Sequence, residues 1–270
     1  MEASRLRVCL AGATGWAGSE LALGVGRQAD MELVAGVSRN NAGRRLPEVL
    51  GAEAPDAPLF ASAEEALEVG CDVFVEYTHP SVARANVETA LEAGAHVVLG
   101  TSGLTDEELE ELGQFAAQRR LGLLAVGNFA LTVVLLQKFA AMAAKVLPEW
   151  EIVDYASAAK ADAPSGTARE LASRLAAVRQ PATSNSVDDT IGPREVRGAT
   201  LGGAQVHAVR LPGYVIGVEA LFGLPDERLT IKQESGSSAR PYVNGALLCI
   251  REVGKLLGLQ RGMDGVLDIG

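Results

Sequence analysis

Apolar residues in this chain fall into short runs. Glycine-rich turns break the runs, and stretches of helical periodicity separate them. Residues 7–11 form the first run and read as a strand; a glycine turn (GATGWAG, 12–18) follows at once, then a helix to about residue 28 and a strand over 31–37. Ser62-Ala-Glu-Glu65 has the capping-box pattern and opens a short helix to Gly70. Strands are predicted over 71–77, 95–99 and 121–126, with helices starting at Pro80 and behind a second capping box at Thr105–Glu108. The stretch 131–147 is apolar almost all round, which predicts a buried helix. A strand over 151–155, an amphipathic helix over 168–177 and a polar Gly/Pro/Asp-rich loop over 180–203 come next. Strand-like runs at 204–211, 214–222 and 228–234 predict an open sheet, one face of which could pack on a partner subunit; 241–257 is the last helix.

Strand, glycine turn, helix and strand within about 30 residues make the dinucleotide-binding unit. Gly12 permits the tight turn, Gly15 lets the backbone approach a pyrophosphate, and Gly18 allows close helix–strand packing, although the spacing is GxxGxxG rather than GxGxxG. Later strands end in turns at 77–80, 100–103 and 127–129. In a doubly wound parallel sheet, turns at the strands' carboxyl ends share one crevice. An acid at the end of the second strand would grip the 2′-hydroxyl of NAD, but this chain has Ser38 and Arg39, with Arg44 and Arg45 nearby. A hydroxyl and a guanidinium accept a 2′-phosphate, so NADPH is the preferred cofactor, with NADH admissible.

Composition narrows the classes. A net charge of −10 over 270 residues argues against binding nucleic acid or anionic membranes, and means that an anionic substrate needs a local basic pocket. Cys9, Cys71 and Cys249 are odd in number, separated and set in apolar runs; they read as buried thiols in a reducing compartment. With no signal-peptide pattern and no run of about 18 apolar residues, the expectation is a cytoplasmic protein. No metal site is expected.

The stretch Lys160-Ala-Asp-Ala-Pro-Ser-Gly-Thr167 sets a lysine beside a helix start with free amides, the makings of a socket for a small anion. Ser165 has no histidine placed to activate it, so capping or carboxylate binding is its expected role, not nucleophilic attack.

Several motifs together resemble dihydrodipicolinate reductases. They are GATGWAG at Gly12, YTHP at Tyr77, GTSG at Gly100, GNF at Gly127, KADAPSGTA at Lys160, VHAVRLPG at Val206 and NGALL at Asn244. The resemblance implies an α/β fold. A Rossmann dinucleotide-binding domain would take 1–128 and 241–270. A substrate-binding and oligomerisation domain, with a mixed, largely antiparallel sheet, would take 129–240. It implies cofactor contacts at Gly12, Gly15, Trp16, Ala17, Thr78, Gly100, Ser102, Asn128 and Phe129; Thr14, in the glycine turn, and Ser38 and Arg39, at the end of the second strand, are cofactor-binding candidates from their own positions. It implies substrate carboxylates held by Lys160, Ser165, Gly166 and Thr167, NAD(P)H-dependent reduction of a small cyclic imine, and a homotetramer.

One departure matters. The family has two histidines and two further residues before the lysine, and the first histidine is its proposed proton donor. Here the run is Ala156-Ser157-Ala158-Ala159-Lys160. Where the family carries another histidine, this chain has Gln233. Loss of a general acid typically costs about 10²–10⁴ in rate. Three readings stay open: the family reaction assisted by water, Ser157 or Tyr155; a related reductase or dehydrogenase for another imine, ketone or amine; or a nucleotide-binding paralogue without turnover.

Overall fold

The computed structural model describes residues 4–267. The outermost residues of the expected domain limits, 1–3 and 268–270, lie outside the described residues. The chain divides into two compact units: one runs to Leu131 and resumes at Ala239, and the other is Thr132–Ser238.

The first unit is built on β1 (Leu6–Ala11), α1 (Trp16–Gly26), β2 (Met31–Val37), α2 (Leu46–Leu50), β3 (Leu59–Phe60), α3 (Ala63–Leu67), β4 (Val73–Glu76), α4 (Pro80–Glu92), β5 (His96–Leu99), α5 (Asp106–Gln118) and β6 (Gly122–Ala125). It is completed by α8 (Arg240–Glu252) and β12 (Gly258–Arg261). The sheet order is β12-β6-β5-β4-β1-β2-β3, and every pairing is parallel. Both faces are covered, so the central strands are continuously apolar: Val8–Ala11 and Val73–Val75 are buried throughout. Both predicted capping serine and threonine residues cap their helices. Ser62 accepts from Glu65 N, and Thr105 and Glu108 form a reciprocal capping box.

The second unit contains α6 (Leu131–Ala144, which starts at the unit boundary), β7 (Glu149–Ala156), α7 (Gly166–Val178), β8 (Ala199–Leu201), β9 (Ala204–Arg210), β10 (Ile216–Leu224) and β11 (Glu227–Ser235). Its sheet order is β11-β10-β7-β9-β8; β7 and β9 run parallel and the other neighbours antiparallel. The α/β class with a parallel sheet and a mixed sheet is as the sequence predicted. β7 alternates strictly, burying Trp150, Ile152, Asp154 and Ala156. On that face Leu136 and Ala140 of α6 and Leu171 and Leu175 of α7 complete a core with Val218 and Phe222.

Three expectations are corrected. α6 is not buried all round: Phe139 and Met142 are 44% and 53% exposed, because only one stripe of the helix meets the sheet core. Cys71 is half-buried, and the fold brings it against Cys9 although the two lie far apart in sequence. The loop 180–203 holds two short 3-10 turns, Val187–Asp189 and Arg194–Arg197, and the edge strand β8. The short elements α2, β3 and β12 had no periodic signal to announce them.

Candidate active site

In the first unit, the parallel pairing puts the carboxyl ends of β2, β1, β4, β5 and β6 side by side along one edge. Chain order reverses at β1, which lies between β2 and β4, the switch point where open α/β sheets bind ligands. Gly12 takes φ +78°, and a Cβ there would lie 2.1 Å from Tyr77 O. A Cβ on Gly18 would lie 2.0 Å from Gly12 O, so the turn and the helix close only with glycine at both positions. Gly15 is the N-cap of α1; it offers no side-chain acceptor, and no acid follows in the first turn. The first amides of α1 are therefore open to an anion, and Gly15, Trp16 and Ala17 border them. Trp16 is 62% exposed and lies edge-on to Tyr242, 5.8 Å between centroids.

Thr14 and Ser38 meet through their hydroxyls at 2.7 Å, and Asn41 Nδ2 donates to Ser38 Oγ at 3.1 Å. Arg44 is tied to Glu48 and Arg45 to Asp56. Arg39 is exposed and has no carboxylate partner among the described residues.

Glu76 organises the middle turns, a role the sequence did not reveal. Its fully buried carboxylate accepts from Thr78 N (2.8 Å), Thr78 Oγ1, Thr101 Oγ1 (3.1 Å) and Asn86 Nδ2 (2.8 Å). Four donors offset the desolvation of the charge and lock Thr78 to the 100–103 turn. Gly100 is held by aromatic crowding, since a Cβ there would lie 2.7 Å from the Tyr77 ring and 2.9 Å from that of Phe129. Phe129 is buried, Asn128 Oδ1 accepts from Ala130 N at 2.9 Å, and Ser102 is exposed.

In the second unit, β7 leads into the Lys160–Thr167 loop. Lys160 Nζ pairs with Asp162 Oδ1 at 2.8 Å, and the ammonium holds the Asp162 carboxyl below the usual carboxylate range. Ser165 caps α7, accepting from Ala168 N at 3.3 Å and donating to Asp154 Oδ1 at 2.7 Å. Its hydroxyl is thus committed beneath the loop. The amides of Gly166 and Thr167 have no acceptor among the described residues and remain as donors at the start of α7.

The weak proton-donor candidates separate. Tyr155 lies on the opposite face of β7 from Asp154 and Ala156, and its hydroxyl donates to Glu219 at 2.7 Å. Burial, then the Glu219 carboxylate, push the phenol up to about 12. Ser157 is half-buried at the end of the strand, and its hydroxyl accepts from Ala159 N at 3.3 Å. Every histidine has a structural partner: His79 caps α4, His96 Nδ1 accepts from Gly122 N at 2.9 Å, and His207 pairs with Glu151 at 2.7 Å. Gln233 shares the sheet face of Asp154 through the register Asp154–Val218–Gln233, and donates to Thr132 Oγ1 and Ser235 Oγ.

Residues 6–129 match the family model for the N-terminus of dihydrodipicolinate reductase, and residues 132–267 match that for its C-terminus. The chain belongs to the dihydrodipicolinate reductase family. A 4-hydroxy-tetrahydrodipicolinate reductase of Listeria monocytogenes is 35% identical over 264 residues, covering 97% of this chain and 100% of the relative. One of Geobacillus thermodenitrificans is also 35% identical, covering 97% and 99%. Among solved structures, a dipicolinate-bound dihydrodipicolinate reductase of Paenisporosarcina superposes with a TM-score of 0.86 at 30% identity, covering 97% of this chain and all of that one. An amine dehydrogenase of Mycobacterium smegmatis shares the fold at a TM-score of 0.66 and 15% identity, covering 95% of both chains. Dihydrodipicolinate reductases use NAD(P)H, and the open turns and amides of the first unit fit such a nucleotide.

Proposed function

We propose that this chain reduces a small cyclic imine bearing carboxylates, 4-hydroxy-tetrahydrodipicolinate foremost, with NADPH. The reading is supported by two features of one loop: the Lys160 ammonium, held by Asp162, and the unpaired amides of Gly166 and Thr167 at the start of α7, a cation and donors suited to carboxylates. In this reading the first unit is the dinucleotide-binding domain. The amides of Trp16 and Ala17, with the close approach that Gly15 permits, would hold the pyrophosphate, Ser38 and Arg39 would receive the 2′-phosphate, and the turns at Thr78, Gly100, Ser102, Asn128 and Phe129 would border the nicotinamide. Arg39 supports NADPH over NADH because no carboxylate among the described residues competes for its guanidinium.

The bound nucleotide supplies the hydride. The chain's own task is to hold the imine by its carboxylates and to keep its charge balanced. Asp162 serves as the counter-ion of Lys160 until a substrate carboxylate takes its place. Water or the Ser157 hydroxyl delivers the proton, since Ala156, Ala158 and Ala159 carry no acid and the Tyr155 hydroxyl is engaged on the far face of the strand. The same lack of an acid favours a second reading, a related reductase for another imine, ketone or amine with carboxylates in the same socket. The second unit is the substrate-binding domain in either case, and a homotetramer in the cytoplasm is the assembly and location we propose. Three cysteines free of disulfides support the compartment. Among the described residues no helix is long and apolar enough to cross a membrane.

Lys160→Ala tests the socket. Loss of a charged hydrogen-bond partner costs about 1.5–3 kcal/mol, so KM should rise roughly 10- to 100-fold while nucleotide affinity stays unchanged. An unchanged KM removes Lys160 from the site.

A further inference from the structure

Asp154 is a fully buried carboxylate that neither the motif nor the proton chemistry uses. It lies at the end of β7 and accepts three hydrogen bonds at 2.7 Å each: from Ser165 N, from Ser165 Oγ and from Arg210 Nη2. Arg210, at the end of the neighbouring β9, also donates to the carbonyl of Asp162 at 2.8 Å and to that of Asp154 at 3.3 Å. One carboxylate thereby fixes the loop at two points. Ser165 is bound directly, and Asp162 is bound through the guanidinium.

The placement of these two anchors matters. Ser165 directly precedes the free amides of Gly166 and Thr167. Asp162 is the residue whose side chain holds Lys160 Nζ. Each anchored residue therefore adjoins one wall of the socket. We propose that Asp154, acting through Ser165 and Arg210, is the positioning residue of the anion socket and sets the separation between Lys160 and the α7 amides that selects a dicarboxylate. The proposal rests on the socket reading above.

Charge alone makes the opposite prediction, which gives a sharp test. Asp154 is a negative charge beneath a site for anions. Asp154→Asn removes it, leaves Arg210 uncompensated and makes the socket more positive, so a purely electrostatic role predicts tighter anion binding. As a brace, the same change turns an acceptor into a donor facing Arg210 and Ser165, and the loop comes loose. Titration of full-length wild type, Asp154→Asn and Ser165→Ala with pyridine-2,6-dicarboxylate separates the two accounts, with NADPH affinity as the control for a folded first unit. The brace predicts a loss of roughly tenfold or more for Asp154→Asn, a smaller loss for Ser165→Ala and a double variant less than additive. Wild-type or tighter binding by Asp154→Asn overturns it.

Amide hydrogen exchange gives a readout that needs no ligand. Residues 160–165 should exchange about tenfold faster or more in Asp154→Asn while the core of β7 and β10 keeps its protection. Unchanged exchange over 160–165 also overturns the brace. If the loop loosens in the variant but the wild-type chain binds NADPH and no dicarboxylate, the dicarboxylate half of the proposal falls with the functional reading, and the brace itself stands. An Arg210→Lys variant, which keeps the charge and loses the second hydrogen bond, should show the intermediate exchange rate; a wild-type rate contradicts the role given to Arg210.

Discussion

In the reading we propose, cofactor choice turns on Arg39. Arg44 and Arg45 are neutralised by Glu48 and Asp56, so neither is a free cation for a phosphate. Arg39→Ala should weaken NADPH about tenfold while NADH changes by less than about twofold, read as dissociation constants from nucleotide fluorescence. Equal losses for the two nucleotides would contradict the assignment. Single residues also mark what the sequence could not disclose. Asp154 and Glu76 are ordinary acids in strand-like runs, and only the fold shows that each is buried among donors contributed by distant segments. Strand parity offered one clue: Asp154 falls on the same alternating face as Trp150 and Ile152. Ser165 shows the converse. The motif marks it as a ligand contact, yet its hydroxyl is engaged by Asp154 and Ala168.

At the scale of elements, the glycine turn gives a graded prediction. A Cβ on Gly18 would collide with Gly12 O at 2.0 Å, whereas on Gly15 it would stand 3.2 Å from the same atom in an ordinary backbone conformation. Gly18→Ala should lower Tm and abolish nucleotide binding. Gly15→Ala should cut nucleotide affinity with little change in Tm, because its cost falls on the approaching phosphate. Similar Tm losses in both would contradict the roles assigned. The β5–β6 pair carries a pH dependence. Burial lowers the His96 pKa from the usual 6.5, against a smaller opposing effect of Asp72, and the neutral ring accepts from Gly122 N. A depressed folded pKa favours the neutral form. This contribution is therefore complete above the unfolded value of 6.5 and is lost as pH falls through it toward the folded value. Tm should fall on mild acidification, and less steeply in His96→Gln, which keeps an acceptor but does not titrate. Identical slopes would remove His96 from the transition. The long elements were legible because periodicity and caps spoke together, as at α5 with its Thr105–Glu108 box. β3 was not, because a strand of two residues carries no period, and neither was β12, because Gly258–Arg261 holds Leu259 as its one large apolar residue.

For the whole molecule, a net charge of −10 confines any anion site to local cations and helix starts, and the described structure has them at α1 and at Lys160–Thr167. Family membership, read first from the motifs, rests on matches running from residue 6 to residue 267. The identity of the substrate is the central claim, and the run Ala156–Ala159 makes it the one to test. The most direct measurement is steady-state consumption of NADPH by the full chain with freshly generated 4-hydroxy-tetrahydrodipicolinate. The account predicts saturable turnover, lowered roughly 10- to 100-fold at low substrate by Lys160→Ala and without the fall in rate as pH rises through neutrality that a histidine proton donor would impose. A chain that binds NADPH tightly yet consumes none with this substrate would contradict it.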